Sequence, residues 1–368
     1  MTTTIDTTDA PAVDEERIGA FIGRLIESCV AAGELVTVDL GRNLGLYAAL
    51  TAQPKTAPEL AAATGIHARY AREWLEQQAV AGILEVDGDG DGDTRRYSLP
   101  VEHAVPLLEE ESLAYVGAIS GIPESMSKTM DALRDAFRTG GGVPYAAYEI
   151  HDLQGAFNRP AFANQLASEW LPTIPGLVER LQTTGAEAVE VGCGEGWAAI
   201  ALATAFPNLR ILALDNDEAS IVAARRHAGA AGVQDRVRFE VCDVSEPLDP
   251  GHVGRYDLAC AFEMIHDVAD PVGVLRNAHA SIKPGGTVLV MDERTEEQFT
   301  APGQLLERFF YMASVLHCLP VGMASQPSAG TGTVMRPDTL REYARDAGFT
   351  DVTVLPIEHD MFRFYQLT

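Results

Sequence analysis

"EVGCGEGW", residues 190–197, follows the apolar run "AV" and places glycines at alternate positions, Gly192, Gly194 and Gly196. An apolar run that breaks into glycines reads as a buried strand entering a tight loop, where the missing Cβ atoms let a ligand approach the backbone. A dinucleotide fingerprint would need its third glycine at position 197, which is Trp197, so the spacing is wrong for a nicotinamide cofactor. Glu190, at the strand end, would repel a phosphate and suits a ligand bearing an amino group.

Outward from this loop the pattern alternates: "RILALD" (210–215), "VRFEVCD" (237–243), "DLACAF" (257–262) and "TVLVMDE" (287–293) are strand-like, separated by helical text. A helix at about 337–347, then "VTVLPI" (352–357) and a last strand near "MFRFYQL" (361–367), complete seven strands. Buried strands alternating with helices predict an α/β fold with a doubly wound, mostly parallel, Rossmann-like sheet whose ligand lies beyond the strands' carboxyl ends. There Asp215 is placed to accept both ribose hydroxyls and Asp243 to receive an adenine amine. An amino group, a ribose and an adenine without phosphate together describe S-adenosyl-L-methionine.

With these residues in order, the chain resembles the class I S-adenosylmethionine-dependent methyltransferases. "EVGCGEG" is like their glycine loop, "ALD" their ribose acid, "CD" their adenine site and "KPGG" (283–286) their turn before the fifth strand. The resemblance covers about residues 181–368 and implies a cofactor set of Glu190, Gly192, Gly194, Gly196, Asp215, Asn216, Asp243, Val244 and Glu263. A winged-helix pattern in the N-terminal part extends it to the dimeric plant-type O-methyltransferases. It also extends it to a bacterial branch often described as transcriptional regulators, through "FTAPGQLLERFFYMASVLHCLPVGM" (299–323), "GTGTVMRP" (330–337) and "FRFYQL" (362–367).

In the plant-type enzymes a His followed by Asp after the fourth strand is the general base, oriented by a carboxylate after the next strand. The corresponding residues are His266, Asp267, and Asp292 or Glu293. A histidine that titrates near neutrality suits removal of a proton as the methyl transfers. Leu306, Phe310, Ala313 and His317 fall on one helical stripe, which points His317 inward. His317 then packs in the core, contacts the acceptor or binds a metal. Bacterial phenylpyruvate C-methyltransferases of similar architecture hold iron on two histidines, and the resemblance makes His266 and His317 that pair, with iron as a candidate second cofactor that chelates a 2-oxo acid.

The segment at about 14–100 supplies the winged-helix pattern. Thr56 and Glu59 form a capping box, Gly65 ends the helix, and "GILEV", "DGDGDGD" and "RRYSL" read strand, turn, strand. Asp87, Asp89, Asp91 and Gly92 open like a calcium loop, but the twelfth position is Ser98 instead of Glu, so this is a solvated hairpin tip. Residues 14–100 hold eight Lys and Arg against fourteen Asp and Glu, a net charge of -6. Phosphate neutralisation drives DNA binding, so this domain is expected to mediate a homodimer and not to bind nucleic acid. The competing reading is a metabolite-sensing regulator with a non-catalytic methyltransferase fold. Residues 101–180 read as a helical connector that covers the pocket, where Tyr145, Tyr148 and Trp170 either line a substrate cavity or, as aromatics at such spacing more often do, pack in the core.

The whole chain, 368 residues with net charge -26 and 46% hydrophobic residues, bounds these readings. Such acidity disfavours nucleic acid and anionic membrane as partners, leaving a small-molecule acceptor. The Thr-rich acidic start, residues 1–13, is expected to be a disordered tail and lacks the features of a signal peptide. Five cysteines without paired spacing argue against a disulfide framework, and no apolar run reaches the roughly 18 residues that span a bilayer, so the expected location is cytoplasmic.

Overall fold

The computed structural model describes residues 13–88 and 90–368, so the expected tail lies outside the described residues except for Val13, and so does Asp89 of the hairpin tip. The chain forms two compact units that divide between Ala104 and Val105.

The first unit opens with a 29-residue helix, Glu15–Asn43, followed by Leu46–Leu50, Ala57–Thr64 and Ala68–Val80. The capping box forms: Thr56 Oγ1 accepts from the Glu59 N–H and Glu59 Oε2 accepts from the Thr56 N–H, satisfying two otherwise orphaned donors. Strands β1 (Glu85–Asp87) and β2 (Arg96–Ser98) pair antiparallel as the wing. Tyr47, Leu60, Leu75 and Trp74 make its core, while the long helix leaves Ile18, Phe21, Ile22, Leu25, Ile26 and Val30 exposed.

The second unit carries the sheet. Its strands are β3 (Glu187–Val191), β4 (Arg210–Asp215), β5 (Val237–Val241), β6 (Tyr256–Phe262), β7 (Ile282–Glu293), β8 (Val352–Val354) and β9 (Phe362–Leu367), in the order β5-β4-β3-β6-β7-β9-β8. Strands β3 to β7 run parallel and β9 is antiparallel to both its neighbours. The "KPGG" turn is absorbed into β7 as an irregularity: Tyr256 faces Ile282, but Leu258 faces Thr287.

Alternation explains the burial on both sheet faces. Ala188, Ile211, Ala213, Leu258 and Leu289 pack into one hydrophobic cluster, and Val189, Leu212, Leu214, Ala259 and Val288 into the other. Each fully buried aliphatic side chain of Val or Leu size contributes roughly 1.5–3 kcal/mol, which leaves a cofactor loop on a rigid base. The chain turns back between β3 and β6, the neighbours at the topological switch, so the loops after these strands bound a crevice.

The packing decides two readings. Of the two open for Trp170 the structure has the core one: it is buried in the first cluster, 4.6 Å from the Phe364 ring, because the π-helical run Phe162–Trp170 turns its last residue onto the sheet. On the helix Leu305–Ala313, Leu306 is exposed and Glu307 takes the inward position, since Arg336 supplies a charged partner there at 2.6 Å. Phe310 and His317 do point inward.

Candidate active site

The glycine loop follows from β3. Gly192 has φ +68, and a Cβ there would fall 2.7 Å from Met264 Cγ, so both backbone and space demand glycine. The Gly194 N–H donates to Asp215 Oδ2 at 2.8 Å and the Asp217 N–H to Asp215 Oδ1 at 2.9 Å. Asp215 thereby ties the loop after β3 to the loop after β4, and burial raises its pKa above the ordinary carboxylate value. Glu190 is buried with Oε2 lacking a hydrogen-bond partner, and desolvation pushes its pKa up to about 8. A buried acid with an empty acceptor oxygen suits a ligand that brings a cationic donor.

These residues line a cavity of about 1000 Å³ beyond the carboxyl ends of the strands. Gly192, Gly194, Asn216, Asp243, Val244 and Glu263 border it too, whereas Gly196 lies behind, its α-carbon face packed on Phe239. Asp243 Oδ1 accepts from the Ser245 N–H and Oγ, which orients the carboxylate at the end of β5. A smaller cavity, about 540 Å³, opens around the amino ends of β3, β4 and β5 at Glu187, Arg210 and Val237, away from these loops.

At the end of β6 the backbone is strained. Glu263 has φ +50, a conformation seldom adopted outside glycine, and its Oε2 accepts from Asn158 Nδ2. Burial raises the Glu263 carboxyl to about 7. Three residues on, His266 is 1% exposed and ringed by acids. Its Nδ1 donates to Asp292 Oδ1 at 2.9 Å and lies 3.2 Å from Glu293 Oε2, while Nε2 lies 3.2 Å from Asp267 Oδ1. Burial by itself would lower the imidazole pKa, but the charges of Asp292, Glu293 and Asp267 outweigh it and hold the pKa well above the usual 6.5. Burial and the neighbouring Asp292 and Glu263 also raise the Glu293 carboxyl, against the opposing pull of His266.

Asp267, but not His266, borders the cavity. Tyr145 borders it as well, its Oη donating to Gln154 Oε1 at 2.6 Å, whereas Tyr148 is fully buried behind it. His317 sits in the π-helical turn Ser314–Cys318, stacked edge-on against Tyr148 at 4.5 Å and Tyr145 at 5.7 Å. Burial lowers its pKa, and its Nε2 has no hydrogen-bond partner.

Among the described residues, His266 and His317 share no third protein ligand. The ligand atoms that converge within 4.8 Å are those of His266, Asp267 and Cys318, and those of His266, Asp292 and Glu293, and His317 joins neither group. Both ring nitrogens of His266 already face carboxylates, and His317 Nδ1 faces Cys318 Sγ at 3.4 Å.

Sequence reasoning expected a pocket cover in residues 101–180 but did not single out its helical lining residues. His151, Gly155, Asn158 and Phe162 fall at i, i+4, i+7 and i+11 along the helix that starts at His151, and all four line the cavity. His151 Nε2 lies 3.1 Å from Asp217 Oδ2, and a Cβ on Gly155 would strike Glu195 Oε2 at 2.3 Å. That stripe of polar and small residues was the available signal. Asp217 was legible as a helix cap, since its side chain accepts from the Ser220 N–H.

A family model described as "Methyltransferase domain" matches residues 182–343, and one described as "Rv2258c-like winged HTH domain" matches residues 32–108. A ubiquinone biosynthesis O-methyltransferase of Bordetella avium is 30% identical over 185 residues, covering 50% of this chain and 68% of the relative. The chain belongs to the class I S-adenosylmethionine-dependent methyltransferases. The enzyme of the same description from Marinobacter nauticus is 29% identical, over 49% of this methyltransferase and 72% of its own length. Human N-acetylserotonin methyltransferase in complex with S-adenosylmethionine superposes with TM-score 0.66 at 17% identity, over 98% of this chain and 99% of that one, a likeness of fold. The chain thus joins a winged-helix unit to a methyltransferase unit and is an S-adenosylmethionine-dependent methyltransferase acting on a small molecule.

Proposed function

We propose that this methyltransferase O-methylates a small hydroxylated metabolite, with Asp267 and His266 taking the hydroxyl proton. The observation that carries the reading is the line Asp267–His266–Asp292. Asp267 lies at the cavity wall, His266 Nε2 is 3.2 Å from it, and Asp292 holds Nδ1 at 2.9 Å from the far side. Glu190, Gly192, Gly194, Asp215, Asn216, Asp243 and Val244 would hold S-adenosylmethionine, with Asp215 toward the ribose and Asp243 toward the adenine amine. When bound, this cofactor supplies an electrophilic methyl group.

Asp267 receives the hydroxyl hydrogen bond at the wall, and the proton comes to rest on His266 Nε2 as the oxygen becomes nucleophilic. A base whose pKa is raised by neighbouring carboxylates is better matched to a phenol, with pKa near 10, than an ordinary histidine is. A carboxylic acid acceptor is already ionised and would need no such base. Most of the rate comes from holding the two reactants in line between the cover and the strand ends.

Asp215→Ala is expected to abolish calorimetric binding of S-adenosylmethionine. His266→Ala is expected to retain that binding while losing roughly 10²–10⁴-fold in methyl transfer. Full turnover of a phenol panel by His266→Ala would overturn the assignment of the base.

The long helix Glu15–Asn43 exposes Ile18, Ile22, Leu25, Ile26 and Val30 on one stripe, and a second copy of this chain is the occupant we assign to it. The N-terminal unit then serves as a dimerisation module and does not bind nucleic acid, in keeping with its net charge of -6 over residues 14–100. We also propose the domain assignment 14–100 winged helix, 101–180 pocket cover and 181–368 catalytic domain. Among the described residues no helix is long and apolar enough to cross a membrane, and the cysteines are free, which supports a reducing, cytoplasmic setting.

A further inference from the structure

Parallel strands all begin at one end of a sheet, so the residues at their starts gather there. Three of the strands here are introduced by arginine: Arg210 opens β4, Arg236 immediately precedes β5 and Arg255 immediately precedes β6. Arg238 in β5 and Arg225 on the helix Glu218–Ala230 join them, and the five together line the cavity of about 540 Å³ at the amino ends of the strands. This cavity shares no lining residue with the cofactor cavity. Five of its fifteen lining residues are arginine, in a chain with only 27 Lys and Arg among 368 residues, so the cluster does not follow from composition.

The positive charge is only partly met. Arg255 pairs with Glu187 at 2.6 Å and Arg238 with Glu240. Arg225 Nη2 donates to the Phe239 carbonyl at 2.6 Å, and Arg236 Nη1 to the Ala203 carbonyl in the last turn of the helix Trp197–Ala205. A carbonyl holds a guanidinium in place without cancelling its charge, and it uses few of the five N–H donors. The Arg210 guanidinium, among the described residues, has no partner. Set against Glu187, Glu240 and the unpaired Asp235, the five arginines leave a net charge of +2 in a chain of net charge -26. Ile211, Val237 and Phe239 give the cavity an apolar wall, and low-dielectric walls of a concave site strengthen the attraction of an anion.

We propose that this cavity is a second ligand site, separate from the methyl-transfer site, and that it takes a small metabolite bearing a di- or triphosphate group, held by Arg210, Arg225 and Arg236. A guanidinium fork matches two oxygens of one phosphate, and several forks around one cavity match several phosphates of one molecule. Arg210 and Arg236 stand at the starts of the paired strands β4 and β5, and neighbouring strands lie about 4.8 Å apart, a spacing that lets them engage adjoining phosphates. A nucleic acid would run on over a surface that carries the rest of the chain's negative charge, whereas a small anion ends within the cavity.

The test is calorimetry on the full-length protein, free and saturated with S-adenosylhomocysteine, with inorganic tripolyphosphate, guanosine triphosphate, orthophosphate and citrate as probes. Tripolyphosphate is expected to bind saturably at one site, with or without S-adenosylhomocysteine, at least tenfold tighter than orthophosphate or citrate, and to weaken as salt is raised. Tighter binding of guanosine triphosphate than of tripolyphosphate would assign the site to a nucleotide, and the reverse order to a free polyphosphate. Arg210→Ala removes a guanidinium that no contact in the fold uses, so its Tm without ligand should be unchanged while its tripolyphosphate affinity falls at least tenfold. Arg210→Lys should recover only part of that loss, since an ammonium keeps the charge and lacks the fork. Absence of saturable binding, equal affinity for orthophosphate or citrate, unchanged affinity in Arg210→Ala, or binding that S-adenosylhomocysteine displaces overturns the proposal.

Discussion

His266 Nδ1 lies 2.9 Å from Asp292 Oδ1, and both side chains are 2% exposed, so the imidazole is locked by a buried charge that solvent hardly screens. The two residues come from the ends of neighbouring parallel strands, β6 and β7, whose register sets Phe262 beside Met291.

His266 must be neutral to accept a proton, and Asp292, Glu293 and Asp267 hold its pKa well above 6.5 despite burial. The rate constant kcat/KM is therefore expected to rise with pH through a midpoint above 6.5, and in Asp292→Asn that midpoint should move down. A profile that is flat between pH 6 and 9 would contradict it.

The same shift has a stability consequence of opposite direction. A histidine whose pKa is raised on folding contributes stability that is complete below its unfolded pKa and lost as pH rises through the folded one. Thermal denaturation of the native protein, compared with His266→Gln, should show a gap in Tm that closes as pH climbs above 6.5 toward the raised value.

Glu190 predicts proton release. With its carboxyl pushed up to about 8 by burial, it is mostly protonated at pH 7 in the free enzyme. A ligand ammonium beside it would drive ionisation, so calorimetry in buffers of different ionisation enthalpy should show proton release on S-adenosylmethionine binding. Glu190→Gln should abolish that release.

Gly192→Ala tests the loop. Its φ of +68 and the 2.7 Å approach of Met264 Cγ combine backbone strain with a clash, a cost of about 1–3 kcal/mol. Thermal denaturation should fall accordingly and calorimetric cofactor affinity should drop, whereas Gly194→Ala, with φ +50 but no atom within 4 Å of its Cβ, should cost less.

Buried Glu307 and half-buried Arg336, 2.6 Å apart, anchor the helix that leads to His317. Arg336 also donates to Tyr311 Oη and to the Glu296 carbonyl, so Glu307→Ala leaves a bound guanidinium without its main counter-charge. The expected loss is about 3 kcal/mol in chemical denaturation, with part of it recovered in Glu307→Ala/Arg336→Met.

The sequence by itself determined the parallel sheet, the glycine loop and the order of acids along it. Strand burial and the glycine requirement are local properties: alternation decides which residues of β3 and β4 face each cluster, and Gly192 is dictated by one backbone angle and one neighbour. The capping box of Thr56 and Glu59 was legible for the same reason, since its partners lie within one turn. Tertiary structure decided how the acids meet His266. Asp267 is its neighbour in sequence, and the resemblance named Asp292 or Glu293, but only the pairing of β6 with β7 brings both of these to Nδ1. Helical periodicity pointed Leu306 inward, but Arg336, thirty residues away, makes Glu307 the buried side chain. Trp170 was free by pattern to face either the cavity or the sheet, and the aromatic surface of Phe364, brought over by an antiparallel strand at the far end of the chain, drew it to the sheet. Contacts between residues distant in sequence carry no local signal, because their energy depends on which surfaces the fold presses together.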